Sequence, residues 1–152
     1  MNNYYIICGF SGIGKSTAEQ RNRRIIDFES SAFSHIFECG KETVKNPAFP
    51  RNYIDRLIEF IDNDVATVYL MSCHKEVRDE LKLRGLDYII VLPTAEQKNE
   101  YLKRWLKRGS SVEFIELMND RWEEMIASCE DDDAPKIYLS SNEYISDLIC
   151  LL

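Results

Sequence analysis

Gly9-Phe10-Ser11-Gly12-Ile13-Gly14-Lys15-Ser16 is the stretch on which the reading of this chain turns. It satisfies G-x-x-x-x-G-K-[ST] at every position. Glycines let such a loop curl until several backbone N–H groups face one phosphate. Lys15 adds a mobile positive charge for the β- and γ-phosphates, and Ser16 a hydroxyl for Mg²⁺. The flanks suit that mechanism. Tyr4–Cys8 (YYIIC) is a short apolar, β-rich run that reads as a buried strand. A helix is predicted to begin near Lys15, aiming the positive end of its dipole at the same point. ATP is therefore the expected ligand, with Gly9, Ser11, Gly12, Ile13, Gly14, Lys15, Ser16 and Thr17 as its contacts and Ser16 on Mg²⁺.

Outward from the loop, apolar runs alternate with helical periodicity. Arg24–Phe28 reads as a second strand, with Asp27 at its end and Glu29-Ser30-Ser31 just beyond. Lys41–Pro50, with Asn46, Pro47 and Pro50, reads as loop. Tyr53, Ile54, Leu57, Ile58 and Ile61 recur at helical spacing and predict a helix over 51–63. Thr67–Met71 is a third strand, His74–Arg84 a helix capped by Gly85, and Asp87–Leu92 a fourth strand stopped by Pro93. Thr94 caps a helix running to Arg108. Another starts at Ser110 or Ser111, with Ile115, Met118, Trp122 and Met125 on one face. The acidic run Glu130–Asp133 reads as a turn, Lys136–Leu139 as a fifth strand, and Asn142–Leu152 as a closing helix. This alternation predicts one α/β domain over residues 1–152, three-layer α/β/α with a mainly parallel five-stranded sheet.

The loop GFSGIGKST resembles that of the P-loop kinases, in particular the nucleoside monophosphate kinases and their small phage and bacterial relatives. Similar segments continue downstream: Asp27-Phe28-Glu29-Ser30-Ser31, Asn46-Pro47 through Ile54, Ser72 through Arg78, and Glu100-Tyr101 with Arg104 and Arg108-Gly109. The resemblance implies the P-loop NTPase fold and transfer of the γ-phosphate of Mg·ATP to a small acceptor, a nucleoside or deoxynucleoside monophosphate. A P-loop kinase for a non-nucleotide metabolite of the shikimate or gluconate kind shares that layout. An ATP-binding module without transfer is the third alternative.

Phosphoryl transfer also needs an acceptor grip, metal support and neutralisation of the transferring charge. Asp27 and Glu29 lie at the carboxyl end of a strand, the edge where ligands bind in open parallel sheets. Either carboxylate is a candidate for orienting Mg²⁺ through water or for taking the acceptor's proton. His74 and Arg78 are i and i+4 on one helix face, and the resemblance implies that Arg78 holds an acceptor phosphate. Arg51 is a second candidate for that phosphate. Arg104 and Arg108 are likewise i and i+4 and resemble lid arginines, whose planar guanidinium groups suit phosphate oxygens. Lys15, Asp27, Arg104 and Arg108 are thus the expected catalytic residues, and Asp27, Glu29, Arg51, His74 and Arg78 the expected acceptor site. No acidic residue ends the third strand, which argues against a motor-type ATPase. Trp105, Trp122 and Tyr53 read as core aromatics.

Bulk properties narrow the partners. The 152 residues carry a formal net charge of −7, with 45% hydrophobic and 30% charged residues. An acidic domain lacks the basic footprint that nucleic acid demands. The five cysteines are odd in number and show no C-x-x-C pair, so reduced thiols are expected. The N-terminus has no signal-peptide pattern, and no apolar run approaches the roughly 20 residues that span a bilayer. A cytoplasmic location is therefore expected, with no membrane partner.

Overall fold

Tyr5–Gly9 (β1) is apolar along its length, and Ile6, Ile7 and Cys8 lose essentially all contact with solvent. Such a run suits a strand covered on both faces. In the computed structural model, which describes residues 2–38 and 41–150, β1 is the middle strand of a five-stranded sheet. It is flanked by Val68–Ser72 (β5) and Ile89–Pro93 (β6), both parallel to it. Ile25–Asp27 (β2) adds to the far side of β5, and Lys136–Leu139 (β7) to the far side of β6, again parallel. The sheet order is β2-β5-β1-β6-β7. From β1 the chain runs to the edge strand β2, returns through β5 beside β1 and then crosses to β6 and β7 on the other side, so the order switches at β1, the place where an open α/β sheet leaves a crevice beyond its carboxyl edge.

Between the strands lie Lys15–Arg21 (α1), Ser31–Ser34 (α2), Arg51–Asp62 (α3), Lys75–Leu83 (α4), Lys98–Lys107 (α5), Val112–Glu130 (α6) and Ile145–Ile149 (α7). A single 3₁₀ turn at Ala95–Gln97 precedes α5, under a Thr94–Gln97 capping box. Helix α1 packs on β2 and α7, α3 on α4, and α6 on α5 and β6. This α/β arrangement around a five-stranded parallel sheet is consistent with the expected three layers. Where the sequence predicted only loop, Lys41–Lys45 (β4) instead pairs antiparallel with His35–Glu38 (β3). Asn46, Pro47 and Pro50 fall just after β4, so they bound the hairpin and do not prevent it. Cys39, Leu151 and Leu152 lie outside the described residues.

The core is strongly aromatic. Trp105, Trp122, Tyr101 and Phe10 meet edge-on or tilted, with centroids 5.3–6.2 Å apart, which ties α5 and α6 to the loop after β1. Phe28, Phe33, Tyr53 and Phe49 form a second cluster that seats α3 beneath the end of β2. Tyr53 donates its hydroxyl to the Phe28 carbonyl and accepts from the Ser72 amide. The two strand ends that border the crevice are thereby linked through one buried phenol.

Candidate functional site

The loop between β1 and α1 is held from behind. Gly14 caps α1 at φ 92° and Gly12 sits at φ 93°, a region costly for side chains. A Cβ at Gly12 would lie 2.9 Å from Trp105 Nε1, and one at Gly14 would lie 3.0 Å from Tyr144. Ile13, between them, is fully buried as an anchor. The Phe10 amide donates to the Val91 carbonyl on β6, and the Ile145 amide to the Ile13 carbonyl. On its open side the loop borders a cleft of about 670 Å³. Lys15 lies in that cleft, its ammonium donating to the Gly9 and Phe10 carbonyls at 3.0 and 3.4 Å.

Of the residues singled out in the sequence, the cleft gathers Gly9, Ser11, Gly12, Gly14, Lys15 and Ser16 on one side. Asp27, Glu29, His74 and Arg108 face them. Ile13 and Thr17 do not line it; Ile13 is core and Thr17 an exposed residue of α1. Asp27 Oδ1 is buried without a hydrogen-bond partner among the described residues. Burial raises the Asp27 pKa above the usual carboxylate value, and the neighbouring Lys15 only partly offsets this. Glu29 is exposed and accepts from the Ser31 amide at 3.2 Å. His74 opens α4, and desolvation at the cleft wall lowers its pKa below the ordinary imidazole value. Arg108 reaches back to the loop, donating to Ser11 Oγ at 3.2 Å.

Two expected arginines, Arg104 and Arg51, lie elsewhere. Arg104 does not share a lid with Arg108. Its guanidinium is sandwiched between the Tyr101 and Tyr144 rings, 4.4 and 4.0 Å away. It donates to the Gly12 and Glu143 carbonyls, each at 2.9 Å, and pairs with Glu100. Arg104 therefore braces the back of the loop. Arg108 is the cap beyond the last turn of α5, where the chain turns toward the cleft. Arg51 begins α3 on the outside, away from the cleft lining.

Arg78 touches the cleft floor, yet its side chain is only 3% exposed and is saturated from behind. It pairs with Asp132 at 2.6 Å and donates to the Cys73 carbonyl, the Ser128 carbonyl and Ser128 Oγ. Burial alone would raise the Asp132 pKa. The Ala134 amide, Arg78, Lys82 and Tyr88 all donate to its carboxylate and hold it well below the usual range. The acidic run read as a turn thus supplies a buried counter-ion for Arg78.

The sequence reading missed the other wall. Helix α6 presents Phe114, Leu117, Met118, Arg121, Glu124 and Met125 to the cleft. Its apolar residues spread over more than the one face that packs against the core, the signal that could have revealed this second role. Beneath this wall Cys73 and Cys129 meet. The hydrogen bond from Cys129, aided by Lys15 and Arg78 against burial, lowers the pKa of the Cys73 thiol below its ordinary value.

No protein-family model and no curated protein matches this chain. Among solved structures, the fold is similar to that of the Deinococcus radiodurans tunicamycin resistance protein, with a TM-score of 0.63 at 15% identity. The match covers 97% of this chain and 92% of that one. At that identity the likeness speaks for the fold alone. Among the described residues, no helix is long and apolar enough to cross a membrane.

Proposed function

We propose that this chain is a P-loop NTPase-fold phosphotransferase that moves the γ-phosphate of Mg·ATP onto a small acceptor held between the loop and α6. The observation that carries the reading is the meeting, in one cleft, of the Gly9–Ser16 loop with Lys15 and with Asp27, whose buried Oδ1 has no hydrogen-bond partner among the described residues. The loop amides and the start of α1 form an anion cradle. Lys15 leaves the loop carbonyls for the β- and γ-phosphate oxygens, and Arg108 adds a second positive charge from the Ser11 side. Asp27 orients the acceptor hydroxyl and takes its proton.

Among the described residues no group of His, Cys, Asp or Glu could hold a metal by itself. The exposed Ser16 hydroxyl in the cleft still suits Mg²⁺, which keeps several waters and relies on substrate phosphates. Ser16 would hold it there, and the ion would supply neutralisation of developing phosphate charge.

A nucleoside monophosphate is the acceptor that the resemblance implies. The positions of Arg51 and Arg78 favour the second reading, a small metabolite without a phosphate, because neither guanidinium is free in the cleft. Lys15→Ala should leave the fold intact by circular dichroism and abolish acceptor-dependent ADP formation. Undiminished turnover in that variant would overturn the phosphotransferase reading. ATP binding by the unaltered protein with no phosphorylated product from any acceptor would mark a binding module instead.

A further inference from the structure

The acceptor side of the cleft has two walls of different chemistry. One is acidic. Asp27, the last residue of β2, and Glu29, two residues on, both line it, and Asp27 Oδ1 has no donor among the described residues. Lys15 bears on Asp27 and Arg108 on Glu29, and the nucleotide phosphates would engage both cations. Arg78 beneath them is neutralised by Asp132 at 2.6 Å. The other wall is apolar. Phe114, Leu117, Met118 and Met125 rise from α6, and Leu117 is left 50% exposed there. Arg121 is the cation of this wall, and Glu124, three residues on, also lines the cleft.

We infer that the acceptor is an uncharged alcohol with an apolar body: its hydroxyl lies against Asp27 and Glu29, and its body against Leu117 and its neighbours on α6. This rests on the phosphotransferase reading and narrows its substrate. A monophosphate would set its two negative charges against two carboxylates, while Arg108, the arginine whose charge feels Glu29, is drawn to Ser11 and toward the nucleotide phosphates. A neutral hydroxyl donates to the orphaned Asp27 oxygen and completes it. The transfer balances simply: the hydroxyl oxygen forms a bond to the γ-phosphorus, the bond from that phosphorus to the β–γ bridging oxygen breaks, and the hydroxyl proton passes to Asp27.

The test first measures Mg·AMP-PNP binding to the full chain by calorimetry. The saturated protein is then titrated with pairs that differ only in a phosphate: uridine and UMP, thymidine and dTMP, adenosine and AMP. n-Octyl β-D-glucoside serves as an amphiphilic neutral alcohol. The inference expects a neutral compound to bind at least about tenfold tighter than the monophosphates. Glu29→Gln should narrow that gap by admitting anions, and Leu117→Asp should weaken the neutral compound while leaving AMP-PNP binding unchanged. Tighter binding of monophosphates, lost in Arg121→Ala, would overturn the inference and place an acceptor phosphate on α6. AMP-PNP binding with no neutral alcohol bound at millimolar concentration would overturn it as well. Failure of AMP-PNP itself to bind would bring down the phosphotransferase reading, and the inference with it.

Discussion

Asp27 is a residue whose folded environment works against its charge. Its pKa is raised, first by burial and then by Glu29 and Glu19, with Lys15 opposing. A carboxyl raised on folding adds stability at low pH and forfeits it as pH rises through the folded value. At neutral pH the ionised side chain therefore costs stability, which is common where a protein keeps a strained site for use. Asp27→Asn should raise the melting temperature at pH 7 while abolishing acceptor-dependent transfer. A lower melting temperature would show that the carboxylate is held by partners and not stranded. Asp132 is the opposite case. Its pKa is depressed, so its contribution is present above the usual carboxylate range and lost only as acid titrates it below that range. Removing one member of a buried ion pair leaves the other uncompensated. Asp132→Ala should cost about 3–5 kcal/mol in urea unfolding. The part of the acid-unfolding profile due to this group should disappear with it. Asp27 was legible in the sequence because it ends a strand, at the edge where ligands bind in open parallel sheets. Asp132 was not, because a short acidic run has the same composition whether it is solvated or folded onto an arginine 54 residues away.

At the scale of elements, the helices behind the loop do more than fill space. Arg104 on α5 fixes the Gly12 carbonyl, and Tyr101 and Trp105 from the same helix pack against Gly12. Arg104→Met keeps an apolar stem between the two tyrosines but strands two carbonyls that the guanidinium now serves. Losing those bonds should cost about 2–3 kcal/mol of stability and weaken ATP binding more than it weakens acceptor binding, as parallel calorimetric titrations would report. Equal weakening of both would indicate a general loosening of the cleft. The sequence pattern identified α5 and α6 as helices and Trp105 and Trp122 as core, since both indoles are fully buried. Spacing alone did not separate the roles of Arg104 and Arg108. Four residues apart puts two side chains on one face, but it does not say which of them lies past the last turn. The β3–β4 hairpin was hidden for a related reason: its prolines sit just beyond the strand, and a short polar strand has little apolar alternation to betray it.

In the whole molecule, the strands of the parallel sheet were read from the sequence to within a residue or two at their ends, because runs buried on both faces are continuous in apolar residues. Their order was not, since periodicity carries no information about which strand lies beside which. The same limit kept α6 from being recognised as a wall of the cleft. The completed fold also joins distant stretches of chain. The loop after the first strand is braced by Tyr144 against Gly14, by the Ile145 amide on the Ile13 carbonyl, and by Glu143 through Arg104. A ribosome releases the loop early and this brace more than a hundred residues later. A stalled nascent chain ending near residue 140 can pair the five parallel strands and still lack the brace, so the loop should take its final shape only once the stretch around Tyr144 has been made.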